Sequence, residues 1–300
     1  MLVNLNDVLY DARAKKYAVG LFNATDSDML QATVEAAEEM SSPIIIGTAE
    51  VLLPYGDLNL IAPGLINRAK NSTVPVVVHF DHGLTFNRCM EALNYGFSSV
   101  MFDGSEHPYE ENIYQTREIV KIAHSMGASV EGEIGHVGSA EGSAEGSGDG
   151  DHSQYTTVEE AVAYVKETGV DALAISIGTA HGAYKSAPKL DIQRLKEIRE
   201  AVGVPLVLHG GSGLSDQDFR NCIANGISKV NIFTDICIAG TECMKRFINT
   251  DMHYVEFRNR KVEAMKYEVK KKLTLFGSSN RYYNIKSDIV LKAHTVSING

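Results

Sequence analysis

Eight short, β-rich apolar runs recur along this chain with helical patterns between them, and that alternation limits its possible folds more than any other feature. The runs are YAVGLFN (17–23), PIIIGT (43–48), VPVVVHFDH (74–82), SSVMFDG (98–104), SVEGEIG (129–135), DALAISIG (171–178), VPLVLHG (204–210) and SKVNIFTD (228–235). Most stay apolar until their last residues, as strands buried on both faces do. Helical patterns lie between them, at 27–40, 85–96, 109–127, 157–169 and 191–203 among others, several ending in a glycine suited to a helix C-terminus. This alternation predicts an α/β protein with a parallel sheet, and eight units favour closure into a (β/α)8 TIM barrel. An open doubly wound sheet is the other arrangement of such units, but no G-x-G-x-x-G turn follows the first strand. No linker divides residues 1–300, so one barrel domain is expected, with a mainly helical extension from about 237 to 300.

Composition removes several classes of partner. The net charge is −10 and no basic stripe is present, which argues against nucleic acid and anionic membrane surfaces. Four cysteines (Cys89, Cys222, Cys237, Cys243) form no CxxC pair, as expected of a chain kept in a reducing compartment. The start, MLVNLNDVLYDARAKKY, lacks the apolar core of a signal peptide and reads as a short amphipathic helix. No apolar run reaches the roughly 18 residues of a membrane span. A cytoplasmic location is the expectation.

Catalytic residues of such barrels sit at the C-terminal ends of the strands. Here those ends carry Asn23, then His79, Asp81 and His82, then Asp103, Glu131 and Glu133, then His181, His209, Asn231, Thr234 and Asp235. For any single histidine among them, ordinary packing is the better explanation. Three at equivalent places, His82, His181 and His209, can converge on the barrel axis as a divalent-metal site with an open position. His79 is expected to point away from that cluster, and His107, His124, His136, His152, His253 and His294 to lie on the surface. Asp81 is either a general acid–base or a carboxylate that orients an imidazole, and spacing does not separate the two.

A second chemistry adjoins the first. PLVLHGGSG (205–213) places Gly210, Gly211 and Ser212 at the top of the seventh strand, and NIFT (231–234) places Asn231 and Thr234 at the top of the eighth. Bare backbone N–H groups and hydroxyls at that corner are the usual phosphate site of the fold. A tight glycine turn would explain the glycines but not their place beside a histidine. The segment GHVGSAEGSAEGSGDGDHSQ (135–154) is either a solvated loop or a mobile lid over the active site.

Taken together, HFDHG (79–83), GFSSVMFDGS (96–105), VEGEIGHVG (130–138), IGTAHGAYK (177–185), LHGGSGL (208–214) and KVNIFTD (229–235) resemble the class II, metal-dependent fructose-bisphosphate and tagatose-bisphosphate aldolases in order and spacing. The resemblance implies His82, His181 and His209 as ligands of a catalytic Zn2+, with Asp103 and Glu133 at a secondary metal position. It implies that Asp81 exchanges the C4 hydroxyl proton, and that a lid glutamate, Glu141 or its repeat Glu145, exchanges the C3 proton. Gly182, Lys185, Gly210, Gly211, Ser212, Asn231 and Thr234 would surround the dihydroxyacetone-phosphate end, and Asn23 and Asp235 would add further substrate contacts. A monovalent cation, Na+ or K+, is implied near the backbone of Gly182 and Gly210, as is a homodimer or homotetramer.

The reaction so implied is reversible retro-aldol cleavage of a ketose 1,6-bisphosphate, fructose or tagatose, with a metal in place of a lysine Schiff base. Two departures fall on the aldehyde side. Ala49, flanked by Thr48 and Glu50, stands where the family carries a Ser or Thr for the distal phosphate, and FNATDSD replaces an Asn-rich run. An aldolase for another ketose 1-phosphate, as in inositol or deoxy-sugar breakdown, therefore remains open. Arg258 and Arg260 are either helix-surface residues or distal-phosphate ligands. A metal-dependent hydrolase would not need the phosphate corner, and a non-catalytic sugar-phosphate sensor would not need Asp81 and Glu141.

Overall fold

In the computed structural model, which describes residues 1–135, 155–180, 188–282 and 285, the apolar runs form a closed barrel of eight parallel strands. A short β1 (Leu2–Val3) and α1 (Leu5–Lys15) precede it. The barrel strands and their helices follow as β2 (Val19–Asn23), α2 (Ser27–Glu39), β3 (Ile44–Ala49), α3 (Leu58–Asn71), β4 (Val76–Gly83) and α4 (Phe86–Tyr95). Then come β5 (Ser99–Phe102), α5 (Tyr109–Ser125), β6 (Ser129–Ile134), α6 (Val158–Thr168), β7 (Ala172–Ile175) and α7 (Ile192–Ala201). The series ends with β8 (Leu206–Leu208), α8 (Asp216–Asn225), β9 (Ile227–Ile232), α9 (Thr234–Phe247) and α10 (Tyr254–Leu275). Neighbours in sequence pair from β2 through β9, and β2 pairs β9 through Val19↔Lys229 to Phe22↔Ile232, which closes the ring.

The amino-terminal helix was legible in the sequence, but β1 was not. Two residues are too few for a period, and β1 adds only to the lower edge of β4, through Leu2↔Val76 and Val3↔Val77. α1 starts on a capping box between Asn4 and Asp7 and presents Leu5, Val8, Leu9 and Ala12 to the barrel floor. There they pack with lumen residues Leu21, Ile45, Val77, Ala174 and Val207. Burying each large aliphatic side chain contributes roughly 1.5–3 kcal/mol. The Arg13 guanidinium donates to the carbonyls of Val202 and Val204, which ties the helix to the turn entering β8. This plug makes the lower lumen apolar and leaves chemistry to the upper half.

Among the described residues the carboxy-terminal extension carries the expected helices, α9 and α10, the first starting at Thr234 rather than about 237. α10 lies along α2, joined by Arg258 and Lys261 to Asp28, each at 2.6 Å, and by Lys266 to Glu35 at 3.4 Å. Among the described residues, no helix is long and apolar enough to cross a membrane.

Candidate active site

Period-two alternation points Val77, His79 and Asp81 of β4 into the lumen, together with Glu131 and Glu133 of β6, Lys229 and Asn231 of β9, and Asn23 at the end of β2. His79 therefore does not point away from the cluster, as the sequence reading had it. It shares a face with Asp81, is fully buried, and its Nδ1 lies 2.8 Å from Ser99 Oγ. Strict alternation would instead send His82 outward. The β4–β5 register shifts between Phe80 and Gly83, and His82 adopts φ 42°, a left-handed conformation that costs a side chain roughly 1–3 kcal/mol. That kink turns the imidazole back over the lumen beside Asp81.

There His82 and His209 meet edge to face, with ring centroids 4.5 Å apart and His82 Nε2 2.7 Å from His209 Nδ1. Each outer nitrogen faces a carboxylate: His82 Nδ1 stands 2.7 Å from Asp103 Oδ2, and His209 Nε2 stands 2.8 Å from Glu131 Oε1. Burial pushes the Asp103 carboxyl up, but hydrogen bonds from His82 and Ser105 outweigh it and hold the group below the usual range. Burial likewise acts on Glu131, and the charge of Lys229 with the His209 hydrogen bond brings it down to about 2. Two ionised carboxylates accept, so each imidazole carries its proton on the outer nitrogen. The two inner nitrogens then aim lone pairs at each other. Burial and the neighbouring His82 hold His209 below the ordinary imidazole range, which favours this neutral form.

Asp81 and Glu133 adjoin this pair. Ligand atoms of Asp81, His82 and His209 lie within 4.8 Å of one another, as do those of His82, Asp103 and Glu133. Glu133 Oε2 is buried, 3.8 Å from His209 Nδ1, and has no hydrogen-bond partner among the described residues. Burial and the charge of Asp103 push the Glu133 carboxyl well above its usual value. Asp81 takes the opposite direction. Burial raises it, but His82, His79 and Lys229 outweigh that and hold it well below the usual range. Its oxygens accept from Asn23 Nδ2 at 2.9 Å and from Asn231 Nδ2 at 3.0 and 3.1 Å.

The loops after β8 and β9, where the sequence reading expected a phosphate, are closely packed and bare of side chains at Gly210 and Gly211. Gly210 has φ +64°, and a Cβ there would sit 2.4 Å from the Ala180 carbonyl oxygen; one on Gly211 would sit 2.8 Å from that of Asn231. Buried Ser212 accepts from the Phe233 N–H at 3.3 Å, which joins the loop after β8 to the loop after β9.

Comparison with known proteins places this geometry. A family model described as "Fructose-bisphosphate aldolase class-II" matches residues 3–281. The chain belongs to the class II fructose-bisphosphate aldolase family. It is 38% identical to the fructose-bisphosphate aldolase of Staphylococcus aureus, over 93% of this chain and 99% of the relative. It is 39% identical to the enzyme of the same name from Geobacillus stearothermophilus, over 93% and 98%. Among solved structures, it resembles the YdjI aldolase of Escherichia coli K12 at 35% identity, with a TM-score of 0.85 over 94% of this chain and 100% of that one. A fructose-1,6-bisphosphate aldolase homologue from Coccidioides immitis is similar at 29% identity and a TM-score of 0.82, over 92% and 96%.

Membership makes this protein a carbon–carbon lyase of the metal-dependent class. The donor set suits a divalent cation: two imidazole nitrogens turned toward one point, a buried carboxylate oxygen with no hydrogen-bond partner among the described residues, and acids on the outer nitrogens. Of the residues this aldolase was expected to use, His181, Gly182, Lys185, Glu141 and Glu145 lie outside the described residues, as does the segment 136–154. Asp235 does not join the cluster; its carboxylate is 2.5 Å from Lys272 of α10. Thr234 opens α9 and is half-buried. Arg258 is committed to Asp28 and Gln31, and Arg260 to Glu256 with its guanidinium 4.9 Å from the centre of the Phe247 ring.

Sequence reasoning gave Glu131 no role and passed over Lys229. Both are fully buried, with Lys229 Nζ 2.9 Å from Glu131 Oε2 and 2.8 Å from Asn231 Oδ1. The signal was present: Lys229 stands two residues before Asn231 in KVN, hence on the same strand face.

Proposed function

We propose that this aldolase cleaves a ketose 1,6-bisphosphate, fructose or tagatose, to dihydroxyacetone phosphate and glyceraldehyde 3-phosphate. In this reading His82 and His209 hold a catalytic Zn2+ together with His181, and Asp103 and Glu133 line a secondary position for it. The observation that carries the reading is Asp81: an ionised carboxylate, held by two amide donors, within 4.8 Å of both imidazole ligand atoms.

When bound, the divalent cation supplies positive charge that draws electron density from the C2 carbonyl as the C3–C4 bond breaks. Asp81 takes the C4 hydroxyl proton, and the C3–C4 electron pair moves into the dihydroxyacetone-phosphate half as an enediolate. Asn23 and Asn231 keep Asp81 anionic and aimed until that proton arrives. Glu141, or its repeat Glu145, returns a proton to C3, and the surrounding segment excludes water from the enediolate. The N–H groups of Gly210 and Gly211 with the Ser212 hydroxyl bind the 1-phosphate beside Asn231 and Thr234, and Gly182 and Lys185 are further residues for that phosphate. Asn23 also contacts the sugar, and a monovalent cation, Na+ or K+, sits near the backbone of Gly182 and Gly210. The functional unit is a homodimer or homotetramer.

One observation favours a second reading, an aldolase for another ketose 1-phosphate. Ala49 is fully buried at the end of β3, in register with Asp81, and offers no hydroxyl to a distal phosphate. A coupled assay for dihydroxyacetone phosphate decides between them, using metal-loaded protein with fructose 1,6-bisphosphate, tagatose 1,6-bisphosphate and fructose 1-phosphate, with and without chelator. Chelator-sensitive release from a bisphosphate supports the first reading and names its sugar. Preference for the monophosphate supports the second, and no release from any of the three defeats the first.

A further inference from the structure

Lys229 is the one lysine or arginine among the described residues with no solvent exposure at all, and it lies between the two halves of the site. On one side its ammonium pairs with Glu131 Oε2 at 2.9 Å, while Glu131 Oε1 lies 2.8 Å from His209 Nε2. On the other side it donates to Asn231 Oδ1 at 2.8 Å, while Asn231 Nδ2 donates to both oxygens of Asp81. An ammonium can only donate. The contact to Asn231 is therefore fixed in polarity, and the ion pair sets a positive charge beside Glu131 that favours its carboxylate, which can only accept.

We propose that Lys229 is a positioning residue that sets the hydrogen-bond polarity of the whole site, fixing the His209 tautomer through Glu131 and the Asn231 amide orientation directly. By holding one carboxylate oxygen, it leaves the other to accept from His209 Nε2–H, which keeps the Nδ1 lone pair turned toward His82 Nε2, 2.7 Å away. By donating to Asn231 Oδ1, it forces the amide NH2 toward Asp81. Without it, the Asn231 amide can flip and set an oxygen against the Asp81 carboxylate. The alternating contacts run in one line: His82, His209, Glu131, Lys229, Asn231, Asp81. One buried cation thus aligns the metal side and the proton-transfer side together. The consequences for metal binding rest on the reading of His209 as a ligand given above; the tautomer and the amide orientation do not.

The test compares wild type with Lys229→Met and with the double variant Lys229→Met/Glu131→Gln. The double variant strands no buried charge and keeps an acceptor for His209, so it is expected to fold even where the single variant does not. Long-range 1H–15N spectra of the metal-free proteins read the imidazole tautomers. The expected results are one Nε2–H form of His209 in wild type, a mixture in Lys229→Met, and a return to Nε2–H in the double variant. Zinc affinity, measured by competition with a chromophoric chelator, is expected to fall about 10–100-fold in Lys229→Met and to recover in the double variant. In the double variant kcat is expected to stay about 10²-fold low with KM little changed, because Asn231 still lacks its orienting donor. A Lys229→Met protein with the wild-type tautomer overturns the proposal, and so does a double variant with wild-type kcat. Because the tautomer is read without metal, a wild type that takes up no zinc refutes the ligand assignment while the spectra still decide the role of Lys229.

Discussion

His82 Nε2 and His209 Nδ1 face each other across 2.7 Å in the upper lumen, with their rings at 90°. Asp103 and Glu131 occupy the opposite nitrogens, so the two inner nitrogens are turned toward one point, where a proton or a cation can bridge them. Burial and the charge of Asp103 push the Glu133 carboxyl beside them well above its usual value, which favours its protonated form in the metal-free site. Zinc uptake near neutral pH should therefore release about one proton or more per ion, since metal ligands bind deprotonated. Calorimetric titration in buffers of different ionisation enthalpy measures that number. A value of zero would contradict the donor set assigned to the site.

Asp81 is expected to act by moving a proton, not by holding the fold or the metal. Asp81→Ala should keep its zinc stoichiometry while turnover falls by roughly 10²–10⁴-fold, the usual scale for losing a general acid–base. Elemental analysis alongside steady-state kinetics separates the two effects. Near-normal turnover would remove Asp81 from the reaction.

Gly210 and Gly211, proposed to offer donors to a phosphate, also leave no room for a Cβ. Gly210→Ala would place a Cβ 2.4 Å from the Ala180 carbonyl oxygen at a positive φ. The left-handed conformation alone costs about 1–2 kcal/mol, and the clash with backbone adds to it. Thermal unfolding should register a lower Tm, and KM for the phosphorylated substrate should rise because the N–H groups of the loop are displaced. An unchanged Tm and KM would mean that the loop does not clasp the substrate.

Acid should destabilise the metal-free protein through its buried imidazoles. Burial, with Lys229 nearby, holds His79 below its ordinary value, so the unfolded chain takes up its proton near pH 6.5 while the native chain does not. The unfolded state then binds more protons, and stability falls as the pH drops below that point. His209 acts in the same direction. Replacing His79 with Asn should flatten the fall by up to about 1.4 kcal/mol per pH unit, as read from urea unfolding between pH 7 and 5. An unaltered slope would show that His79 is already charged in the native lumen.

The sequence exposed the strand ends well because a barrel collects them on one rim: Asn23, Asp81, Asp103, Glu133, His209 and Asn231 all arrive where alternation and topology send them. It exposed the middle of the lumen poorly. His79 stands three residues from His82, so strict alternation sets the two on opposite faces; the kink at His82 breaks that alternation and leaves His79 on the face of Asp81. Lys229 was overlooked because a lysine inside a barrel is improbable until the carboxylate that compensates it is seen, and Glu131 comes from a strand nearly 100 residues away.

What the chain determined by itself was local and periodic: eight apolar runs, their intervening helices, the glycines of the phosphate corner and the polar residues at the strand tips. Those features follow from neighbours in sequence, where the periods of 2 and 3.6 operate. The tertiary structure alone decided which side chains meet across the lumen. It turned His82 inward through a left-handed kink that alternation forbids, drew Asp235 away to Lys272, and set Lys229 between Glu131 and Asn231. Such choices depend on barrel closure, because only closure brings opposite strands within hydrogen-bond reach and removes the water that would otherwise satisfy their charges.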